Sequence, residues 1–210
     1  MKRVFRFALM LMLALCVTSL PTWAGVMFSD FGPGDSYNCC GGWTVGQTGF
    51  GQYGPASEFT AAAGGNVSQI DVALASISNG DATVSLWTAN AGVPDVELGS
   101  WNVTPTDSFG LCCDVVMIPV LAGPSLTTGQ TYFLAIQSAT GFLAWNQNNQ
   151  NVSGTLAESL DGGATWPETS QGQALGAFDV LSGVPEPATL TLLGAGLLCL
   201  LARARKRSVR

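Results

Sequence analysis

The chain has 210 residues, 47% of them hydrophobic, and a formal net charge of −6 at neutral pH. All eight basic residues lie within 2–6 or 203–210, whereas thirteen of the fourteen acidic residues lie between Gly25 and Val184, where there is no Lys, Arg or His. Such a central region cannot neutralise phosphates, which excludes nucleic acids and anionic lipid surfaces as its partners.

The N-terminus reads as an export signal. Three basic residues occur among the first six and are followed by an apolar run from Ala8 to Val17. Small residues then stand at Thr22 and Ala24, which are the −3 and −1 positions for cleavage before Gly25. We therefore predict a signal peptide over residues 1–24.

The region 25–182 is rich in Gly, Ser, Thr, Asn and β-branched residues and shows no long helical period. Short apolar stretches separated by turn residues predict seven or eight strands, and hence an all-β, jelly-roll-like β-sandwich. Asn79-Gly80 predicts a hairpin turn between the first two of these strands, because both residue types tolerate positive φ. The predicted strands are Val67–Ile77, Ala82–Trp87, Val96–Val103, Val115–Val120, Thr131–Gln137, Phe142–Trp145 and Leu175–Leu181.

Four cysteines of the exported region form two adjacent pairs, Cys39-Cys40 and Cys112-Cys113. Because export favours oxidation, we expect two disulfides that cross-link one pair to the other. They would close loops of about 70 residues and stabilise the fold by roughly 2–4 kcal/mol. A zinc site of four thiolates and a strained disulfide within a pair remain as alternatives.

Weak ligand candidates occur along the central region. Asp30 and Asp35 carry oxygen atoms suited to Ca²⁺, although their spacing follows no known calcium loop. Trp43, which follows two glycines, and Trp145, which precedes an amide-rich stretch, are candidate platforms for stacking against sugars. Trp87 is expected in the core. We expect no cofactor, with calcium as the open alternative.

The segment from Ser159 to Trp166 has the pattern S-x-D-x-G-x-T-W. It resembles the Asp-box of sialidases and other glycan-related β-proteins. The resemblance implies a structural turn in which Asp161 braces the hairpin, Gly163 supplies an unusual φ and Trp166 packs beneath. Sialidase activity itself is not expected, because those enzymes hold the substrate carboxylate with arginines.

The C-terminus combines three features in order. Val184-Pro185-Glu186-Pro187 precedes an uncharged run of 15 residues, 188–202, which is followed by a basic cluster. The run covers roughly 22 Å of a ~30 Å hydrocarbon core, so it predicts a short transmembrane helix with a cytoplasmic basic end. The cluster includes Arg203, Arg205, Lys206 and Arg207.

The region 183–210 as a whole resembles a PEP-CTERM sorting signal. The resemblance implies an exported protein of a Gram-negative bacterium that makes extracellular polysaccharide. It also implies recognition by an exosortase, a membrane-embedded protease that cuts near the Pro-Glu-Pro. An inner-membrane intermediate would then give way to the cell surface or matrix.

Three functions follow for the central region. The first is a non-enzymatic surface or matrix protein, and the second is a lectin-like module that binds extracellular polysaccharide. The third is a glycoside hydrolase, because a carboxylate pair is the acid–base route left without His or Lys. Its glutamate candidates stand in no recognisable context, so we expect no enzymatic activity; they are Glu58, Glu97, Glu158 and Glu168.

Overall fold

The computed structural model describes residues 25–49, 51–111 and 115–183. Residues Val26–Gly183 form one compact unit. Its described residues contain fourteen strands and no helix. The strands are β1 (Val26–Ser29), β2 (Asn38–Thr48), β3 (Gly51–Thr60), β4 (Gly65–Val72), β5 (Leu74–Ser78), β6 (Ala82–Asn90), β7 (Val93–Val103), β8 (Val116–Pro119), β9 (Ser125–Leu126), β10 (Thr131–Gln137), β11 (Phe142–Gln147), β12 (Ser153–Ser159), β13 (Glu168–Ala174) and β14 (Phe178–Ser182).

Two antiparallel sheets face each other. The smaller sheet has the order β1-β14-β4-β8, with β9 paired to β4. The larger sheet has the order β5-β11-β2-β3-β10-β6-β7, with β12 paired to β3 and β13 to β12. The predicted all-β sandwich is therefore confirmed, although its sheets of five and nine strands exceed the eight strands of a jelly roll.

The main core lies between the sheets. On β10, Tyr132, Leu134 and Ile136 are buried against apolar residues of the smaller sheet such as Ile70 and Phe178. Alternation along a strand sends neighbouring residues to the other face. This core therefore takes every second residue of β10.

A second apolar cluster covers the outer face of the larger sheet. Phe133 and Ala135, the alternate residues of β10, are fully buried there with Ala56 and Ala157. Trp87 and Trp166 pack on this cluster, with ring centroids 6.1 Å apart and an interplanar angle of 75°. Trp87, expected in the core, thus belongs to this outer cluster.

The stretch predicted as one strand over Val67–Ile77 is two strands in different sheets. β4 ends at Val72 and β5 begins at Leu74, so the chain passes between sheets at Ala73. Buried apolar residues continue from Val72 at the end of β4 to Leu74 at the start of β5, so no polar turn marks the crossing. Periodicity cannot show that consecutive apolar segments belong to opposite layers.

The predicted Asn79-Gly80 hairpin is wrong. β5 pairs with β11, whereas β6 pairs with β10 and β7. Neither Asn79 nor Gly80 has a positive φ. The glycine instead permits close packing, since a Cβ at Gly80 would lie 2.2 Å from the carbonyl oxygen of Thr140.

The strands β1, β2, β3, β9, β12 and β13 were not predicted. β3 contains Pro55, which argues against a central strand because proline cannot donate to the ladder. β13 is polar and mostly exposed, so it lacks an alternating apolar pattern. Both form because neighbouring strands pair with them.

Several predictions fall on residues outside this description. They are the signal peptide over 1–24, the cysteines Cys112 and Cys113, and the sorting motif, apolar run and basic cluster of 184–210. Within the part of the chain that is described, no helix is long and apolar enough to cross a membrane.

Candidate functional site: an aromatic groove beside the Asp-box turn

An open groove of about 850 Å³ lies on the larger sheet. Residues of β2, β3 and β11 and the turn after β12 line it, including Trp43, Thr44, Gln47, Tyr53, Phe142 and Leu160. Its volume falls in the range of small-molecule sites, and aromatic faces with a few polar groups are typical of such sites. We call it the Trp43 groove.

Trp43 is held in place by a hydrogen bond across the fold. Its indole N–H donates to the carbonyl oxygen of Ala174 at 2.8 Å, and the half-buried ring packs against the main core. A ring fixed in this way loses little rotamer entropy when a ligand stacks on it. Trp43 lies at the groove, and its role as a platform for sugars stays a prediction.

Trp145, the other predicted platform, is in the wrong place to bind a ligand. Its side chain is 0% exposed, and its indole N–H donates to the carbonyl oxygen of Ala177 at 3.1 Å. It pairs with Trp43 across β2 and β11 and packs against Phe178 in the core. The amide-rich loop next to Trp145 suggested exposure, but its strand faces the opposing sheet.

Two glutamates lie beside the groove at Tyr53. Glu158 on β12 and Glu168 on β13 are directly opposite each other in the antiparallel ladder. Burial raises the pKa of Tyr53, and the neighbouring Glu158 carboxylate, which accepts a bond from its hydroxyl, raises it further, as does Glu168. The structure thus brings together two of the four glutamates that the sequence suggested for a glycosidase.

The Asp-box turn contains a dense hydrogen-bond network. Asp161 Oδ1 accepts from Ser159 Oγ at 2.7 Å and from the Thr165 N–H at 2.9 Å, and its Oδ2 accepts from Thr165 Oγ1 at 2.6 Å. The Gly163 N–H donates to Ser159 Oγ at 2.8 Å, and Gly163 has a φ of 89°. The bonds from Thr165 and Ser159 lower the pKa of Asp161 to about 2.

This turn also shapes the groove. The Gln52 N–H donates to the carbonyl oxygen of Leu160 at 2.9 Å, and the Gly162 N–H donates back to the Gln52 carbonyl at 3.1 Å. The turn is thereby fastened to the start of β3, and Leu160 becomes part of the groove lining. On the other side, Trp166 packs on the outer cluster.

The two aspartates named as calcium candidates lie in different environments. Asp30 is 1% exposed, and its Oδ1 accepts from the Phe178 N–H at 2.7 Å. Asp35 is exposed in a turn, with a φ of 57°. Among the described residues, no group of three or more acidic, cysteine or histidine side chains is arranged to hold a metal ion.

The first cysteine pair opens β2. Cys40 is exposed and its thiol is free, so the prediction that Cys40 is cross-linked disagrees with the structure. Cys39 is not free. Successive side chains of a strand point to opposite faces, so adjacent cysteines cannot both face one partner loop.

Sequence reasoning missed Gln47, Tyr53 and Phe142 as groove residues. Tyr53 stands two residues before Pro55, in a stretch that did not predict a strand. Phe142 begins a predicted strand, so the sequence pattern favours a core position for it. Neither carries a local signal, because the groove exists only where β2, β3 and β11 meet.

The described residues form an all-β sandwich with an open aromatic groove on its larger sheet. Residues 183–206 match the model of the PEP-CTERM protein-sorting motif. No curated protein has a significant match to the chain. The motif indicates an exported protein that is sorted through an exosortase, with a membrane-anchored intermediate before the cell surface.

Proposed function

We propose that this protein is a non-enzymatic component of the cell surface or extracellular matrix of a Gram-negative bacterium. The main support for this proposal is the match to the PEP-CTERM motif over 183–206, which begins at Gly183, the last residue of the compact unit. An exosortase would detach the sandwich from an inner-membrane intermediate near Pro185-Glu186-Pro187. The motif concerns delivery, and the sandwich would perform the function after delivery.

The charge of the sandwich supports a non-enzymatic role. Between Gly25 and Val184 there is no Lys, Arg or His to serve as a general base, Schiff-base amine or oxyanion donor. A carboxylate pair such as Glu158 and Glu168 would have to supply all the acid–base chemistry. We therefore propose binding or scaffolding in preference to turnover.

A glycan-binding module is the second candidate, and the Trp43 groove favours it. Aromatic rings stack on sugar faces, while hydroxyl and amide groups such as those of Thr44 and Gln47 can hydrogen-bond to sugar hydroxyls. The groove lies in a domain without cations, so anionic polysaccharides would be repelled. Neutral or positively charged glycans fit this site better. Calcium dependence stays the open alternative for this candidate.

A disulfide from Cys39 to the Cys112-Cys113 pair remains a proposal. Export exposes the protein to oxidation, and Cys39 is the cysteine of the first pair whose thiol is not free. Such a bond would restrain a loop of about 70 residues and contribute roughly 2–4 kcal/mol. Cys40 would stay reactive towards an alkylating agent.

Intact-mass spectrometry after cell fractionation tests these proposals. We expect a surface or released form that begins at Gly25, ends near 184–187, and accepts alkylating reagent at Cys40 but not at Cys39. A variant with alanine at Pro185, Glu186 and Pro187 should stay in the membrane fraction and keep residues 188–210. A variant with alanine at Thr189 and Thr191 is the matched control and should be processed.

Recovery of full-length chain from the cytoplasm, with both ends intact, would refute the proposal. Normal release of the Pro-Glu-Pro variant would refute the sorting step alone.

A further inference from the structure

The pair Glu158 and Glu168 has no cation of the domain to balance it. The two residues are cross-strand neighbours, an arrangement in which like charges repel. Surfaces usually relieve such pairs with a nearby Lys or Arg, but none exists between Phe7 and Ala202. Any neutralising charge must therefore come from outside the domain.

The pair also lies at a groove that can bind an organic ligand. Tyr53 lines the groove, and Glu158 on β12 pairs with Pro55, which is two residues from Tyr53 on β3. The faces of Trp43, Tyr53 and Phe142 attract cations as well as sugar C–H groups, because an aromatic ring is negative above its plane. The ring of Tyr53 therefore lies beside both the aromatic lining of the groove and the negative charge of the glutamate pair.

We propose that the Trp43 groove binds an oligosaccharide that carries free amino groups, with a protonated amine placed beside Glu158 and Glu168. The inference rests on the glycan-binding candidate above and specifies its ligand class. An amino sugar satisfies both halves of the site, since its ring stacks on the aromatics and its ammonium faces the carboxylates. A neutral sugar would satisfy the stacking half only.

Calorimetric titration of the mature domain with two matched probes tests this inference. The probes are a glucosamine hexamer and an N-acetylglucosamine hexamer, which have the same backbone and differ in charge. At low salt and pH 6.5 we expect the free-amine hexamer to bind about tenfold more tightly. High salt should remove most of that preference, because it screens the charges.

Point variants test whether the hexamers bind at the Trp43 groove. Glu158→Gln and Glu168→Gln should each weaken binding of the free-amine hexamer roughly three- to fivefold and leave the N-acetylated hexamer unchanged. The matched control is the double variant Asp95→Asn, Glu97→Gln, which removes two exposed charges from β7, the strand at the other end of the sheet order. It should change neither affinity.

Trp43→Ala should weaken both hexamers. The thermal midpoint of each variant reports whether it is still folded. If Trp43→Ala is unfolded at the temperature of the titration, Phe142→Ala replaces it.

The outcomes distinguish a failure of the amino-sugar inference from a failure of the proposed glycan-binding function. Equal binding of the two hexamers overturns the amino-sugar inference and leaves glycan binding standing. No binding of either overturns both. If the free-amine hexamer binds Trp43→Ala and Phe142→Ala unchanged, or if the control double variant weakens it as much as the glutamate variants, its binding is unspecific attraction and the inference is wrong. Equal binding of hexalysine would overturn the sugar requirement.

Discussion

At the scale of single residues, Asp30 is a buried carboxyl that titrates near neutral pH. Burial raises the pKa of Asp30 from 3.8 to about 7, opposed by the bond from the Phe178 N–H and assisted by repulsion from Asp179. Its Oδ2 has no hydrogen-bond partner in the structure. A proton on this buried carboxyl removes the cost of burying a charge.

Asp30 should therefore make the domain more stable in mild acid than in base. The folded form holds its proton up to about pH 7, whereas the unfolded chain releases it near pH 3.8, so the stabilisation is complete below pH 3.8 and is lost as pH rises through 7. Between pH 5 and pH 8 the free energy of unfolding should fall by roughly 2–3 kcal/mol from this residue. Asp30→Asn, which keeps the acceptor oxygen, should flatten the dependence.

Urea denaturation at both pH values measures this difference. Asp95→Asn removes an exposed carboxyl of the same kind and should retain the wild-type dependence. Asp179, whose pKa is raised to about 6 chiefly by burial, acts in the same direction and should leave a residual slope. An Asp30→Asn protein with the full wild-type slope would contradict the assignment.

The pKa of Asp161 is lowered, whereas that of Asp30 is raised. Its carboxylate accepts three hydrogen bonds within the turn, which favour the charged form. Asp161→Ala should lower the thermal midpoint and loosen the contact of Trp166 with Trp87, seen as a change in tryptophan fluorescence. Asp161→Asn keeps one acceptor oxygen and should fall between the two.

An Asp161→Ala protein that melts and fluoresces like the wild type would show that the network does not hold the turn. The stabilisation from Asp161 should also be complete above pH 4 and lost as pH falls through about 2.

At the scale of elements, the junction between β13 and β14 meets β11 at a glycine. A Cβ at Gly176 would clash with Cε2 of Trp145, whose ring is fully buried. The Gly176 N–H also donates to Ser57 Oγ at 3.3 Å, which fixes the backbone there. The segment therefore packs on Trp145 only because residue 176 lacks a side chain.

Gly176→Ala should destabilise the sandwich by about 1–3 kcal/mol, the usual cost of overpacking a core. Chemical denaturation followed by tryptophan fluorescence measures the change. Gly49→Ala is the matched control, because no atom lies within 4 Å of a Cβ at that position. Equal stability of the two variants would mean that Trp145 can shift at no cost.

At the scale of the whole molecule, charge is divided between regions that have different destinations. The basic ends belong to the predicted signal peptide and the sorting motif, and the sandwich keeps thirteen acidic residues without a cation. Loss of both ends would leave a strongly anionic domain, which stays soluble through self-repulsion. It would also attract cationic partners, as the inferred amino-sugar site requires.

The sequence by itself determined the delivery of this protein and its fold class. Short linear signals act locally, so Val184-Pro185-Glu186-Pro187 could be read without a structure, and alternation and turn residues sufficed for a sandwich. The Asp-box turn was predictable for the same reason, since its hydrogen bonds join residues at most four positions apart.

Only the tertiary structure decided the site. Trp43 and Trp145 look alike in the sequence and pair directly across β2 and β11, yet Trp145 is fully buried whereas Trp43 is half-buried and lies at the groove. Tyr53, Phe142 and Leu160 meet there from distant parts of the chain, and Glu158 faces Glu168 because of the register of β12 and β13. Such contacts follow from sheet register and layer packing, which local propensity does not encode.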